Sequence, residues 1–284
     1  MIEDESALPR AQLDADYTAR ATVTDAEFTR IIGQYERLTT YAKELPNKCS
    51  SYEFCPATGL HLDLYNTNPG EKRPVVVFIH GGYWRALTRA HSGFAAPMLA
   101  AHGIALAVPD YRLAPKASIT EIIADCRRAI AYLWQNVDAL GIDRNRIVVT
   151  GSSAGGHLAA AMAQPGWQAE YGLPDQPLHG CLPVSGLFDL APLAASHVQD
   201  WMQFTADELA QSPQRHPPKS LRGAIALAAG KGEAPGFHRQ SDAYAALTGW
   251  PLLRVSGRNH FDVILDLTDA KTDLSQALLG LCAA

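Results

Sequence analysis

Residues 146–163, RIVVTGSSAGGHLAAAMA, constrain the fold more than any other stretch of this 284-residue chain. A short β-branched run, RIVVTG, gives way within three residues to the helix-compatible AGGHLAAAMA. The junction reads Gly151-Ser152-Ser153-Ala154-Gly155, a G-x-S-x-G pattern. Glycines around a serine at a strand-to-helix turn let the chain reverse sharply and leave room for the hydroxyl. The serine then stands at a helix N-terminus, where partial positive charge favours a developing anion. Ser153 is therefore the candidate nucleophile, and Ser152, one residue out of register, reads as structural.

Such a turn needs a sheet behind it. VVVFIH (75–80), IALAVPD (104–110), GCLPVSG (180–186), AIALAAG (224–230) and LLRVSG (252–257) are similar short apolar runs. Helical segments such as SITEIIADCRRAIAYLWQNV (118–137) lie between them. Strands apolar on both faces and alternating with helices predict an α/β fold: a mostly parallel central sheet with helices on both faces. SYEFC and LHLDLY flank the turn-like PATG and predict a leading antiparallel hairpin at one edge. Residues 8–45 read as mostly helical, with Asp25 as a cap before AEFTRIIGQYERL. The chain is thus expected to form one domain over 1–284, with a helical N-terminal arm over 1–50. The irregular stretch 187–222, rich in Trp, Phe and Pro, reads either as a cap-like insertion near the site mouth or as an ordinary surface connection.

Composition narrows the function classes. Hydrophobic residues make up 47% and the net charge is −5, which suits a globular core and argues against a nucleic-acid footprint. No run approaches the ~20 apolar residues needed to cross a bilayer. The N-terminus, MIEDESALPRAQLDAD, is acidic and polar, unlike a secretory leader, so a cytoplasmic location is expected. The partner expected is a small-molecule substrate, with a homodimer left open. Five cysteines without C-x-x-C spacing suggest neither a disulfide framework nor a zinc site. No G-x-G-x-x-G follows the first strand, so no nucleotide cofactor is implied, and no metal either.

The remaining chemistry falls at strand ends. His80-Gly81-Gly82-Tyr83-Trp84 closes the first long central run. Glycines there leave backbone N–H groups free for an oxyanion. The N–H groups of Gly82, Tyr83 and Ala154 are assigned to that hole, with Gly81 making the turn. Trp84 and Tyr17 are candidate substrate contacts. His80 precedes the serine, whereas hydrolases with this elbow order the triad as serine, acid, histidine. The candidate base is therefore His260, in the loop after LLRVSG. The candidate acid is Glu233, the first carboxylate after AIALAAG, with Asp242 as the alternative. A carboxylate there orients the imidazole and stabilises the imidazolium.

HGGYW, DYRLAPK (110–116), GSSAGGHLAA (151–160), VSGLFDLAPL (184–193), GEAPGFHRQS (232–241) and NHFDVILDL (259–267) occur in this order. Together they resemble the arylformamidase (kynurenine formamidase) branch of the α/β-hydrolases, near the hormone-sensitive-lipase-like esterases. HGGYW is more telling than the HGGG of general esterases, and Lys116 after DYRLAP is more like the formamidase branch. The resemblance spans about residues 10–280 and implies the same nucleophile, base, acid and oxyanion loop (Gly81–Tyr83). It implies hydrolysis of N-formyl-L-kynurenine to kynurenine and formate. One departure is Glu233, where the animal enzymes have Asp. Two competing readings are a carboxylesterase for short-chain or aryl esters, and a non-catalytic binding protein on the same fold. The second would be expected to lack a triad member, whereas all three are in place.

Overall fold

The computed structural model describes residues 4–46 and 49–283. The strands are β1 (Cys49–Cys55), β2 (Leu60–Tyr65), β3 (Arg73–Ile79), β4 (Ala105–Pro109), β5 (Ile142–Ser152), β6 (Gly180–Val184), β7 (Arg222–Gly223), β8 (Ile225–Ala228) and β9 (Leu252–Val255). They form one sheet in the order β1-β2-β4-β3-β5-β6-β8-β9, with β7 beside β6. β1 and β2 pair antiparallel, as do β2 and β4. The remaining pairs, from β4 to β9, run parallel. The hairpin therefore sits at one edge of a parallel sheet.

The uninterrupted apolar runs have a direct cause. In β3, Val75, Val77 and Ile79 face one hydrophobic cluster, while Val76 and Phe78 face the other. β4 divides likewise, with Ala105 and Ala107 on one side and Leu106 and Val108 on the other. A strand buried on both faces has no polar side to present, so alternation disappears from its sequence.

Helices cover both clusters. The helices are α1 (Arg10–Asp16), α2 (Asp25–Glu44), α3 (Ala96–Ala101), α4 (Ile119–Gln135), α5 (Val137–Leu140), α6 (Ala154–Ala163), α7 (Ala191–Ala194), α8 (Gln199–Met202), α9 (Ala206–Leu209), α10 (Pro235–Thr248) and α11 (Asp273–Cys282). α4, α6 and α10 pack on one face, through Ile122, Leu158 and Phe237 among others. α2, α3 and α11 pack on the other, through Ile31, Leu99 and Leu278. α2 starts one residue earlier than the sequence suggested. Thr24, not Asp25, is the N-cap: its hydroxyl accepts from the Glu27 N–H and Glu27 reaches back to the Thr24 N–H. Asp25 instead pairs with Arg20. The arm's helical part ends at Glu44, and Cys49 already belongs to the edge hairpin.

Segment 187–222 carries α7, α8 and α9, each of four residues. The C-terminal ends of β3, β5, β6, β8 and β9 all open on one side of the sheet, where open α/β sheets gather their functional loops.

Candidate active site

Ser153 sits between β5 and α6 with φ 58° and ψ −118°. A non-glycine residue there is strained by an estimated 1–3 kcal/mol. Two neighbouring bonds hold it in place. Its N–H donates to the Val184 carbonyl at 2.9 Å, and its carbonyl accepts from His157 N–H at 3.0 Å. Gly155 is required by the crossing of the elbow under β3, because a Cβ there would overlap the Ile79 carbonyl. Burial leaves Ser153 only 7% exposed, and it borders a cavity of about 260 Å³.

His80 to Tyr83 of the HGGYW loop border the same cavity. Gly82, with φ 96°, takes a conformation open to glycine, and Tyr83 and Trp84 follow at φ 49° and 57°. The Tyr111 hydroxyl donates to the carbonyls of His80 (3.0 Å) and Gly81 (3.1 Å). The Gly82 carbonyl accepts from the N–H groups of Arg85 and Ala86, each at 3.0 Å. In a trans peptide the N–H points opposite to the C=O. Fixing the Gly81 and Gly82 carbonyls therefore aims the Gly82 and Tyr83 N–H groups the other way. Likewise the Ser153 carbonyl runs along α6, so the Ala154 N–H faces out of the helix start. Among the described residues none of these three N–H groups has a backbone or side-chain acceptor, so all are free for an oxyanion.

The imidazole and carboxylate meet as expected. His260 follows β9 and Glu233 follows β8. His260 Nδ1 lies 2.5 Å from Glu233 Oε1, and both residues are 3% exposed. A carboxylate can only accept here, so Nδ1 carries the proton and Nε2 keeps its lone pair. His260 borders the same cavity as Ser153. Glu233 Oε2 accepts from the Ser185 hydroxyl at 2.5 Å. The alternative acid, Asp242, is on α10, where it pairs with Arg254 at 2.5 Å, whereas the carboxylate bonded to His260 is that of Glu233.

Two expected substrate contacts are corrected. Trp84 and Tyr17 are fully buried, and neither borders the cavity. The positive φ at Tyr83 and Trp84 turns the Trp84 indole inward, edge-on to His157 at 5.2 Å. Tyr17 is a strut: its hydroxyl donates to Glu5 at 3.0 Å and accepts from Gln240 at 2.9 Å. Its carbonyl accepts the Tyr83 hydroxyl. Burial and the Glu233 charge push the Tyr83 phenol well up, so it remains a donor. The arm instead walls the cavity through later residues, among them Arg20, Phe28 and Tyr35. The Tyr35 hydroxyl also donates to the Phe261 carbonyl, bracing the loop of His260. Segment 187–222 contributes no residue to the cavity; its Trp201 backs the oxyanion loop, donating to the Tyr83 carbonyl at 3.3 Å.

Sequence reasoning missed Tyr111 and Ser185. Both lie in stretches already singled out, DYRLAPK and the VSG ending β6. A polar residue immediately after a buried strand was the available signal.

The imidazoles of His80 and His157 make no hydrogen bond to the side chain of Ser153, Glu233 or His260 among the described residues. Burial pushes His80 down to about 4, against the opposing pull of its contact with the Gly81 carbonyl. Burial alone pushes His157 down to about 3. Neither ring nitrogen of His157 has a hydrogen-bond partner among the described residues. The unfolded chain protonates both near pH 6.5, whereas the folded chain keeps them neutral. Their contribution to stability is thus complete above ~6.5 and falls as pH drops toward the folded values, by at most about 3 kcal/mol per pH unit for two protons. Urea midpoints at pH 7, 6 and 5 should fall accordingly, and His157→Leu should flatten the slope. An unchanged slope in that variant would contradict this origin.

A serine at a strained elbow and an imidazole tied to a buried carboxylate border one cavity, with free N–H groups on the elbow and on the neighbouring glycine loop, and these are the parts acyl transfer requires. Fold and elbow together define an α/β-hydrolase. The family model BD-FAE matches residues 62–173. The kynurenine formamidase of Salmo salar is 30% identical over 253 residues, covering 85% of this chain and 84% of that protein. That of Danio rerio is 28% identical over 252 residues, with 85% and 84% covered. A Silicibacter crystal structure provisionally described as a thioesterase superposes with a TM-score of 0.81 at 25% identity, covering 94% of this chain and 98% of that one. The chain belongs to the kynurenine formamidase family of hydrolases.

Proposed function

We propose that the protein hydrolyses N-formyl-L-kynurenine to kynurenine and formate, with Ser153 as nucleophile, His260 as general base and acid, and Glu233 as the orienting carboxylate. The observation that carries this reading is the Glu233–His260 pair at 2.5 Å beside the cavity that Ser153 borders. Ser153 Oγ attacks the formyl carbon as its proton passes to His260 Nε2. The N–H groups of Gly82, Tyr83 and Ala154 hold the oxyanion. Collapse breaks the C–N bond, and His260 returns the proton to the departing aryl amine. Water then attacks the formyl ester on Ser153, giving its proton to His260, and formate leaves with Ser153 restored. Glu233 stays ionised and stabilises the imidazolium throughout.

An aryl amine is a poor leaving group unless protonated, so a firmly held imidazole matters more here than with an ester. The aryl group would lie against the aromatic cavity walls, Phe28, Tyr35, Phe78, Phe94 and Phe261. The five unpaired thiols suit a reducing cytoplasm, and the reaction belongs to tryptophan catabolism. Purified protein is expected to release formate and kynurenine in equal amounts from formylkynurenine. If it cleaves short p-nitrophenyl esters but leaves formylkynurenine intact, the carboxylesterase reading replaces this one.

A further inference from the structure

The cavity wall carries charge of one sign. Its fixed charges are those of Arg20 and Arg85; the imidazole of His91 also borders it, and among the described residues no Asp or Glu does, although the whole chain has a net charge of −5 with histidines neutral. A cleft lined by one sign of charge concentrates ligands of the other. Two of these groups are already engaged. Arg20 is held by Asp25, by the Val23 carbonyl at 2.8 Å and over the Phe28 ring at 4.5 Å. His91 Nδ1 is 3.3 Å from the Thr88 hydroxyl. Arg85 differs: among the described residues its guanidinium has no carboxylate partner. It lies 3.8 Å over the Trp201 ring, whose indole N–H donates to the Tyr83 carbonyl. Arg85 also follows the oxyanion loop by two residues, its N–H bonded to Gly82.

We propose that Arg85 is the anchor for a carboxylate on the leaving-group side of the substrate, making the site selective for aryl formamides that carry a carboxylate. The guanidinium fork matches a carboxylate with two parallel N–H donors, and stacking on Trp201 orders the fork before binding. The inference rests on the proposed formamidase reading for placing the aryl group along the aromatic wall. A ligand with a formamide at Ser153 and its aryl ring along that wall would turn its charged end to the rim held by Arg85.

Binding can be read without turnover in the Ser153→Ala background. The probes are N-formyl-L-kynurenine and N-formylkynuramine, which has the same aryl formamide and no carboxylate. Calorimetry is expected to give at least ~10-fold tighter binding of the carboxylate-bearing probe. Adding Arg85→Gln should bring the two dissociation constants within ~3-fold, and Arg85→Lys should restore part of the difference. Equal affinities in Ser153→Ala, no binding of either probe, or a preference that survives Arg85→Gln would each overturn the proposal. Formate release by the wild-type protein is measured separately. No release together with Arg85-dependent binding would sink the formamidase reading and leave the carboxylate anchor standing.

Discussion

Ser153→Ala is expected to lower kcat/KM for formylkynurenine by about 10⁵- to 10⁶-fold, some 7–8 kcal/mol of transition-state stabilisation. The size follows from what is removed. Without Oγ there is no covalent intermediate, and the oxyanion donors and binding surfaces can support only direct attack by water. The fold should survive. Alanine keeps the Cβ that the elbow already accommodates at φ 58°, and the Val184 and His157 backbone bonds are untouched. Circular dichroism should be unchanged and a fluorophosphonate probe should label the wild type alone. Ser153→Gly should be equally inactive yet melt higher, because glycine relieves the positive φ. Activity within ~10-fold of wild type in Ser153→Ala would mean that the nucleophile lies elsewhere. A wild-type protein that takes up no probe would favour the non-catalytic binding reading.

Local chemistry explains which features were legible before any coordinates. α6 spans Ala154–Ala163, the same ten residues as the predicted AGGHLAAAMA, because the elbow glycines and small side chains leave that segment one backbone path. The central strands were legible because burial on both faces makes each an unbroken apolar run. The Glu233–His260 pair was legible because chain order on this fold brings the ends of β8 and β9 together. What failed was orientation. HGGYW announced a loop, but a run of positive φ decides that Trp84 turns inward. Nothing in the spacing of Tyr17 distinguished a strut from a wall. The partners of the site were also hidden, since they are set by packing across long separations. Tyr35 reaches Phe261 across 226 residues and Ser185 reaches Glu233 across 48. Segment 187–222 stayed unreadable because helices of four residues are too short to express a 3.6-residue period.

Glu233→Gln is expected to lower kcat by about 10⁴-fold, the scale seen when a triad carboxylate becomes an amide. The substitution conserves shape, so contacts with His260 and Ser185 should persist. Two things change. The negative charge that stabilises the imidazolium is gone. The amide can also present its NH₂ to Nδ1, which would move the ring proton to Nε2 and leave no base facing Ser153. Glu233→Asp separates charge from reach: it keeps the charge but shortens the arm that now places Oε1 2.5 Å from Nδ1. It should fall between wild type and Glu233→Gln, within about 10²-fold of wild type. Ser185→Ala removes one charge-assisted hydrogen bond, worth roughly 1.5–3 kcal/mol, and leaves the carboxylate in place. Its loss should therefore stay well below that of Glu233→Gln. Asp242→Asn serves as the control on position, because Asp242 is half-exposed and paired with Arg254. A Glu233→Gln enzyme within tenfold of wild type, or an Asp242→Asn enzyme equally impaired, would move the acid away from Glu233. The ordering expected from the geometry is Glu233→Gln far below Glu233→Asp and Ser185→Ala, with Asp242→Asn near wild type.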